Sequence, residues 1–156
     1  VVIVDYADIL KPTTFYKEKR HATGETYENL RGIAGEFDIP VWTASQANRS
    51  SLEEDVIDAT KVSEDYSKVM TADFVMSVSR KVEDKIANTG RFHVIKNRFG
   101  PDGITFPASI NTNTGLIQVH EASTVAGKQA QGKMDNSEEY LRKTLSQKYK
   151  DMGGFE

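Results

Sequence analysis

Lys96 and Arg98 stand two residues apart at the end of an apolar run (Phe92, Val94, Ile95) and just ahead of the turn sequence Gly100-Pro101-Asp102-Gly103. On a strand, residues i and i+2 share a face. The two cations then form a pair suited to phosphate, arginine as a planar fork and lysine as a point charge. The chain opens on Val1-Val2-Ile3-Val4, an apolar strand that ends in Asp5. A carboxylate in that position can hold a magnesium-bound water beside nucleotide phosphates. A third group is Ser45-Gln46, after the short run Pro40–Ala44. A glutamine at a strand end can bond both a water aligned on a terminal phosphate and a loop backbone, and so sense the state of a nucleotide. Each signal has a plainer reading on its own: a Lys/Arg pair that keeps an edge strand soluble, a strand that ends in Asp, a Ser/Gln pair that caps a turn. Together they point to a nucleotide site with its metal.

These residues need strands to carry them. Val1–Val4 reads as a fully buried strand. Tyr27, Leu30, Ile33, Ala34 and Phe37 recur at helical spacing, which predicts a helix from about Gly24 to Phe37. Ile39–Ala44 reads as a second buried strand and Phe74–Val78 as a third. Phe92–Ile95 and Ile104–Phe106 form a hairpin pattern across the Gly100–Gly103 turn, and Leu116–Val119 is a further strand. The expected fold is α/β: a mostly parallel sheet flanked by helices, with an antiparallel hairpin extension.

Two polar segments follow strands and should emerge at the edge where α/β folds bind ligands. Lys11–Tyr27 carries Lys17, Lys19 and Arg20 with Phe15 and Tyr16 among them. Ala47–Lys68 begins with Asn48-Arg49 and turns acidic through Glu53, Glu54, Asp55, Asp58, Glu64 and Asp65. Residues 121–135 are rich in small polar types and read as a linker. Residues 136–156 read as a solvated helix and tail, with Ser137 able to cap, Glu138 and Glu139 near its start and Lys143, Lys148 and Lys150 in its later turns. Its apolar stripe (Tyr140, Leu141, Leu145, Tyr149) needs a partner surface.

Composition narrows the class. The 156 residues suffice for one domain with a real core. A net charge of −3 leaves no global basic field, so any nucleic-acid contact is local. The absence of cysteine excludes disulfides and thiolate metal sites. No run approaches the roughly 20 apolar residues of a membrane span. The first residue, Val1, already lies in a strand pattern, and the expectation is a piece of a longer protein.

In the order Asp, Ser-Gln, Lys-x-Arg, the segments resemble the C-terminal ATPase domain of DnaB-type replicative DNA helicases, phage ones in particular. Val2-Ile-Val-Asp-Tyr-Ala-Asp-Ile-Leu10 resembles that family's Walker B segment, and Pro40-Val-Trp-Thr-Ala-Ser-Gln-Ala-Asn-Arg-Ser50 its third helicase motif. Thr71-Ala-Asp-Phe-Val75 resembles the segment before the next core strand, and Lys96-Asn-Arg-Phe-Gly-Pro101 the motif that supplies an arginine finger to a neighbouring subunit. The likeness covers residues 1–120. It implies a RecA-like P-loop NTPase core fragment that uses ATP and Mg2+, with Asp5 at the metal, Gln46 as coupling glutamine, and Lys96 and Arg98 reaching the nucleotide of the next subunit in a hexamer. It also implies single-stranded DNA in a central channel, with Lys17, Lys19, Arg20 and Arg49 as the contacts. Phe15 and Tyr16 either stack on bases or pack on the helix that follows. A primase or helicase loader is a candidate partner, a membrane is not, and the place of action is the cytoplasm of a bacterial or phage-infected cell.

The sequence departs from the family at one point. The pattern Gly-x-x-x-x-Gly-Lys-Ser/Thr is absent; Gly24-Glu25-Thr26 and Gly127-Lys128-Gln129 do not fit it. The chain is therefore read as the back half of the engine and is expected to be inactive alone. Two other readings stay open: a RecA-like recombinase or clock-type ATPase, and a non-catalytic oligomerisation or DNA-binding module.

Overall fold

A computed structural model of the chain describes residues 1–14, 16–47, 56–57 and 66–151. The elements run β1 (Val2–Val4), a 3-10 turn (Ala7–Ile9), α1 (Lys19–Glu36), β2 (Val41–Thr43), α2 (Ser67–Thr71), β3 (Phe74–Ser79), α3 (Val82–Ala87), β4 (Thr89–Asn97), β5 (Thr105–Asn111), β6 (Leu116–Val119), α4 (Val125–Asp135) and α5 (Ser137–Asp151). They divide between two compact units, one of Val1–Ser51, Ile57–Met76 and Val94–Gly103, the other of Leu52–Val56, Ser77–His93 and Ile104–Glu156. Among the described residues, no helix is long and apolar enough to cross a membrane.

The first unit is built on a β-α-β step. α1 starts earlier than the apolar spacing predicts, at Lys19, so Lys19 and Arg20 open a helix rather than lie in a loop. Its inward stripe is Thr23, Thr26 and Tyr27, with Leu30 and Ala34 half-buried, at the i, i+3, i+4, i+7 spacing of one helix face. The helix closes with Asp38 in the left-handed region (φ 48°) while the Ile39 amide donates to the Ala34 carbonyl at 3.0 Å. That is a Schellman-type end, and Pro40 directly after it prevents further helix. The returning chain enters β2, which pairs parallel to β1 in the register Val2↔Val41, Ile3↔Trp42, Val4↔Thr43.

β1 and β2 are not the buried strands the sequence suggests. Ile3 is 76% exposed and Trp42 51%. α1 packs against β2. Trp42 finds an edge-on ring contact with Phe74 at 6.1 Å.

The sheet also differs from expectation. Parallel pairing joins β1 to β2, whereas β3, β4, β5 and β6 form a separate four-stranded sheet in that order. β4 pairs antiparallel with β5, Phe92 opposite Phe106, and β5 antiparallel with β6, Ile110 opposite Ile117. The Arg98 amide donates to the Asp73 carbonyl at 2.9 Å, so the end of β4 lies beside the start of β3. The α/β class stands, with less parallel sheet than the apolar runs imply. Buried runs of this length are compatible with either direction of pairing, so periodicity cannot separate them.

In the second unit, Phe92, Ala108 and Ile110 form the core with Phe106 packed against it. A Cβ at Gly90 would meet the tip of the Ile110 side chain at 2.5 Å, so a larger residue there would require that side chain to shift. Buried Asp84 ties α3 to β4: it accepts from the Lys81 amide, the Thr89 hydroxyl and the Arg91 guanidinium at 2.9, 3.0 and 2.6 Å. The stretch read as a linker is largely helical. Thr124 caps α4 by accepting from the Gly127 amide, and Ala130 and Met134 are buried. Small polar composition concealed a helix that needs only a narrow apolar stripe. In α5, Leu145 and Tyr149 remain exposed.

Candidate nucleotide site

Parallel pairing brings the C-terminal ends of β1 and β2 side by side; Asp5 directly follows β1, and Gln46 follows Ala44 and Ser45 after the end of β2. Thr43 stitches the two ends. Its hydroxyl donates to the Val4 carbonyl and accepts from the Ala7 amide, both at 2.9 Å. The backbone on either side of Asp5 is therefore fixed to β2 by one side chain. Asp5 and Gln46 themselves are exposed at this edge, where α/β sheets take their ligands.

A second stitch lies just behind. Asp8, in the 3-10 turn, accepts from the Tyr27 hydroxyl at 2.8 Å and from the Ser45 hydroxyl at 3.0 Å, and pairs with the Lys68 ammonium at 3.0 Å. Lys68 also donates to Ser45 at 3.1 Å and lies 5.6 Å from the centre of the Tyr27 ring. Burial opposes ionisation of Asp8. The hydrogen bonds from Lys68 and Tyr27, the Lys68 charge and the Ser45 hydroxyl outweigh it, so the carboxyl sits below its ordinary value. Tyr27 moves far up, first through burial and then because its proton is held by Asp8. Four residues from β1's turn, α1, β2's end and α2 thus meet in one polar knot.

Lys96 and Arg98 belong to a different junction. The Lys96 ammonium donates to the carbonyls of Val69 and Met70 at 2.9 and 2.8 Å, capping the C-terminal end of α2. Partial burial, followed by repulsion from Arg98, holds its pKa below the usual lysine range. Arg98 is exposed and pairs with Asp73 at 2.7 Å, and Arg31 approaches the same carboxylate at 3.1 Å while also donating to the Thr71 carbonyl. The two cations adjoin the segment between α2 and β3, Lys96 engaged by backbone and Arg98 by the half-exposed Asp73 side chain.

Of the expected DNA contacts, Lys17 is exposed ahead of α1 and Lys19 and Arg20 form its first residues. Tyr16 lies 6.4 Å from the His21 ring, near the start of α1. Phe15 and Arg49 fall outside the described residues, as does most of the acidic segment. Sequence reasoning missed Thr43, Lys68, Asp73 and Arg31. Lys68 was hidden at the end of an acidic run, and only the tertiary structure pairs it with Asp8.

Among the described residues no cluster of three acidic or imidazole side chains could cage a metal. A single exposed carboxylate suits magnesium, which keeps its waters and takes further oxygens from substrate phosphates.

No family model matches the chain. Over 103 residues, 64% of its length, it is 29% identical to the DnaB-like replicative helicase of Enterobacteria phage T4, and it spans 22% of that protein. Its fold matches a solved structure described as the ATPase domain of G40P with a TM-score of 0.67 at 21% identity, over 77% of this chain and 44% of that one. The chain therefore spans about a fifth of the curated relative's length. The chain thus resembles part of a DnaB-like replicative helicase in sequence and part of an ATPase domain in fold.

Proposed function

We propose that this chain is the C-terminal part of the ATPase domain of a hexameric replicative DNA helicase, which couples ATP hydrolysis to translocation along single-stranded DNA and unwinding of the duplex. The observation that carries this reading is the adjacency of the C-terminal ends of a parallel strand pair, Asp5 directly after one and Gln46 shortly past the other, with Thr43 fixing the backbone on either side of Asp5. A carboxylate and an amide at that edge can serve one phosphate group together. Asp5 would hold Mg2+, which when bound offsets charge on the phosphates and orients them. Gln46 orients the attacking water and reports the presence of the terminal phosphate to the loop that follows.

Arg98 is the finger. Its exposed pairing with Asp73 is exchangeable, so the guanidinium can turn to a phosphate bound by the next subunit. Lys96, fixed on α2, adds positive potential at that surface. Lys17, Lys19, Arg20 and Arg49 contact the DNA backbone. The complete protein carries the phosphate loop that this sequence lacks, and works in the cytoplasm of the host cell with a primase or loader.

Asp5→Asn in the complete protein tests the reading. It should abolish hydrolysis while sparing most nucleotide affinity, because metal placement is weakened and the phosphate cradle is untouched. Loss of binding with normal turnover per bound nucleotide would make Asp5 structural and refute the assignment.

A further inference from the structure

The knot of Asp8, Tyr27, Ser45 and Lys68 touches neither Asp5 nor Gln46, yet it grips the chain next to both. Asp8 is three residues past Asp5, and Ser45 is the residue before Gln46. The Ser45 hydroxyl donates to Asp8 and accepts from Lys68, and the Lys68 side chain is 6% exposed. A lysine so enclosed has its charge stabilised by Asp8 and the Tyr27 face, and its donors engage Asp8 and Ser45. α2, which presents it, is five residues long and ends in the carbonyls that hold Lys96. One short helix therefore contacts both the knot beside the strand ends, through Lys68, and Lys96 of β4, through the Val69 and Met70 carbonyls.

We propose that Lys68 is a positioning residue, which locks the turn after Asp5 to the strand end before Gln46 and joins that site to the segment holding Lys96 and Arg98. The inference rests on the reading of Asp5 and Gln46 as the hydrolytic pair. Thr43 fixes the backbone around Asp5, and the Lys68 knot fixes the backbone leading to Gln46. Without the knot, the two strand ends keep their pairing but Gln46 loses its bearing relative to Asp5. Binding of nucleotide, which depends on a cradle elsewhere, is spared; the chemical step is not. A displacement of about 1 Å in such a group costs on the order of a hundredfold in rate.

The experiment is steady-state ATP hydrolysis by the complete protein, with turnover expressed per folded, nucleotide-bound site, so that a merely structural role leaves kcat unmoved. Ser45→Ala removes one hydroxyl from an exposed residue and should fold. It should lower kcat about fivefold, the value of one hydrogen bond, with KM for ATP within about twofold of the parent. Lys68→Met should lower kcat by about tenfold or more, and Lys68→Arg, which keeps the charge, should recover part of the loss. Unchanged kcat in folded Ser45→Ala overturns the proposal, even where Lys68→Met fails to fold. A rise in KM with kcat intact overturns it too, because that result places the knot in binding. Asp5→Asn, run alongside, separates the two levels: if it leaves hydrolysis intact, the site reading itself fails. If it abolishes hydrolysis while Ser45→Ala and Lys68→Met do nothing to kcat, the positioning role alone fails.

Discussion

Removing the Lys68 charge should destabilise the fold far more than removing Arg98's. The side chains of Lys68 and Asp8 are 6% and 16% exposed, whereas those of Arg98 and Asp73 are 45% and 42% exposed. Breaking a buried pair strands its partner without water and costs about 3–5 kcal/mol, while an exposed pair is worth about 0–1 kcal/mol. Tyr27 and Ser45 still donate to Asp8 in Lys68→Met, so the lower end, about 3 kcal/mol, is expected at neutral pH. Asp8→Asn combined with Lys68→Met should regain much of that loss, because no unpaired charge remains. Acid provides an internal check. Asp8's folded pKa lies below its ordinary 3.8, so the stability it contributes is complete above that value and disappears as pH falls through the folded one. In Lys68→Met the strongest donor is gone and burial dominates, so Asp8 takes up its proton at higher pH. The gap between parent and Lys68→Met should therefore narrow as pH falls towards about 4. Urea unfolding of the complete protein at several pH values reads all three quantities. A gap below about 1 kcal/mol at neutral pH, or one that does not shrink on acidification, would refute the buried-pair account.

Arg98→Ala should all but eliminate ATPase activity without preventing nucleotide binding, since a finger supplied in trans contributes about 10³ to 10⁵ in rate. Mixed oligomers of Arg98→Ala and Asp5→Asn subunits should recover some activity at interfaces that pair both intact residues; mixtures as inactive as either parent, with subunit exchange verified, count against a shared site. Charge reversal of Lys17, Lys19 and Arg20 should weaken single-stranded DNA binding and flatten its salt dependence, because each phosphate contact releases counterions. An unchanged salt slope in a filter-binding or anisotropy titration would leave these residues as a solvated face.

The sequence by itself determined the local elements and the ends of strands where chemistry could sit. Apolar runs at Val2–Val4, Val41–Thr43 and Phe92–Ile95 are strands because short aliphatic and aromatic stretches bounded by turn residues favour that state. Asp38, Ile39 and Pro40 end α1 through backbone geometry alone. The antiparallel hairpin of β4 and β5 was legible from the Gly100–Gly103 turn, whereas the place of β3 in that sheet and not beside β1 and β2 was not, since a continuous apolar run carries no sign of which neighbour it pairs with. The helix over Val125–Asp135 was hidden because its buried face is only Gly127, Ala130 and Met134 among polar small residues. Tertiary structure alone decided the partners of the charges. It set Lys68 on Asp8 across 60 residues of sequence, Lys96 on the end of α2, and both Arg98 and Arg31 on Asp73. Residue type says that a buried cation needs an anion or a row of carbonyls; only the folded chain determines which of them lies within 3 Å.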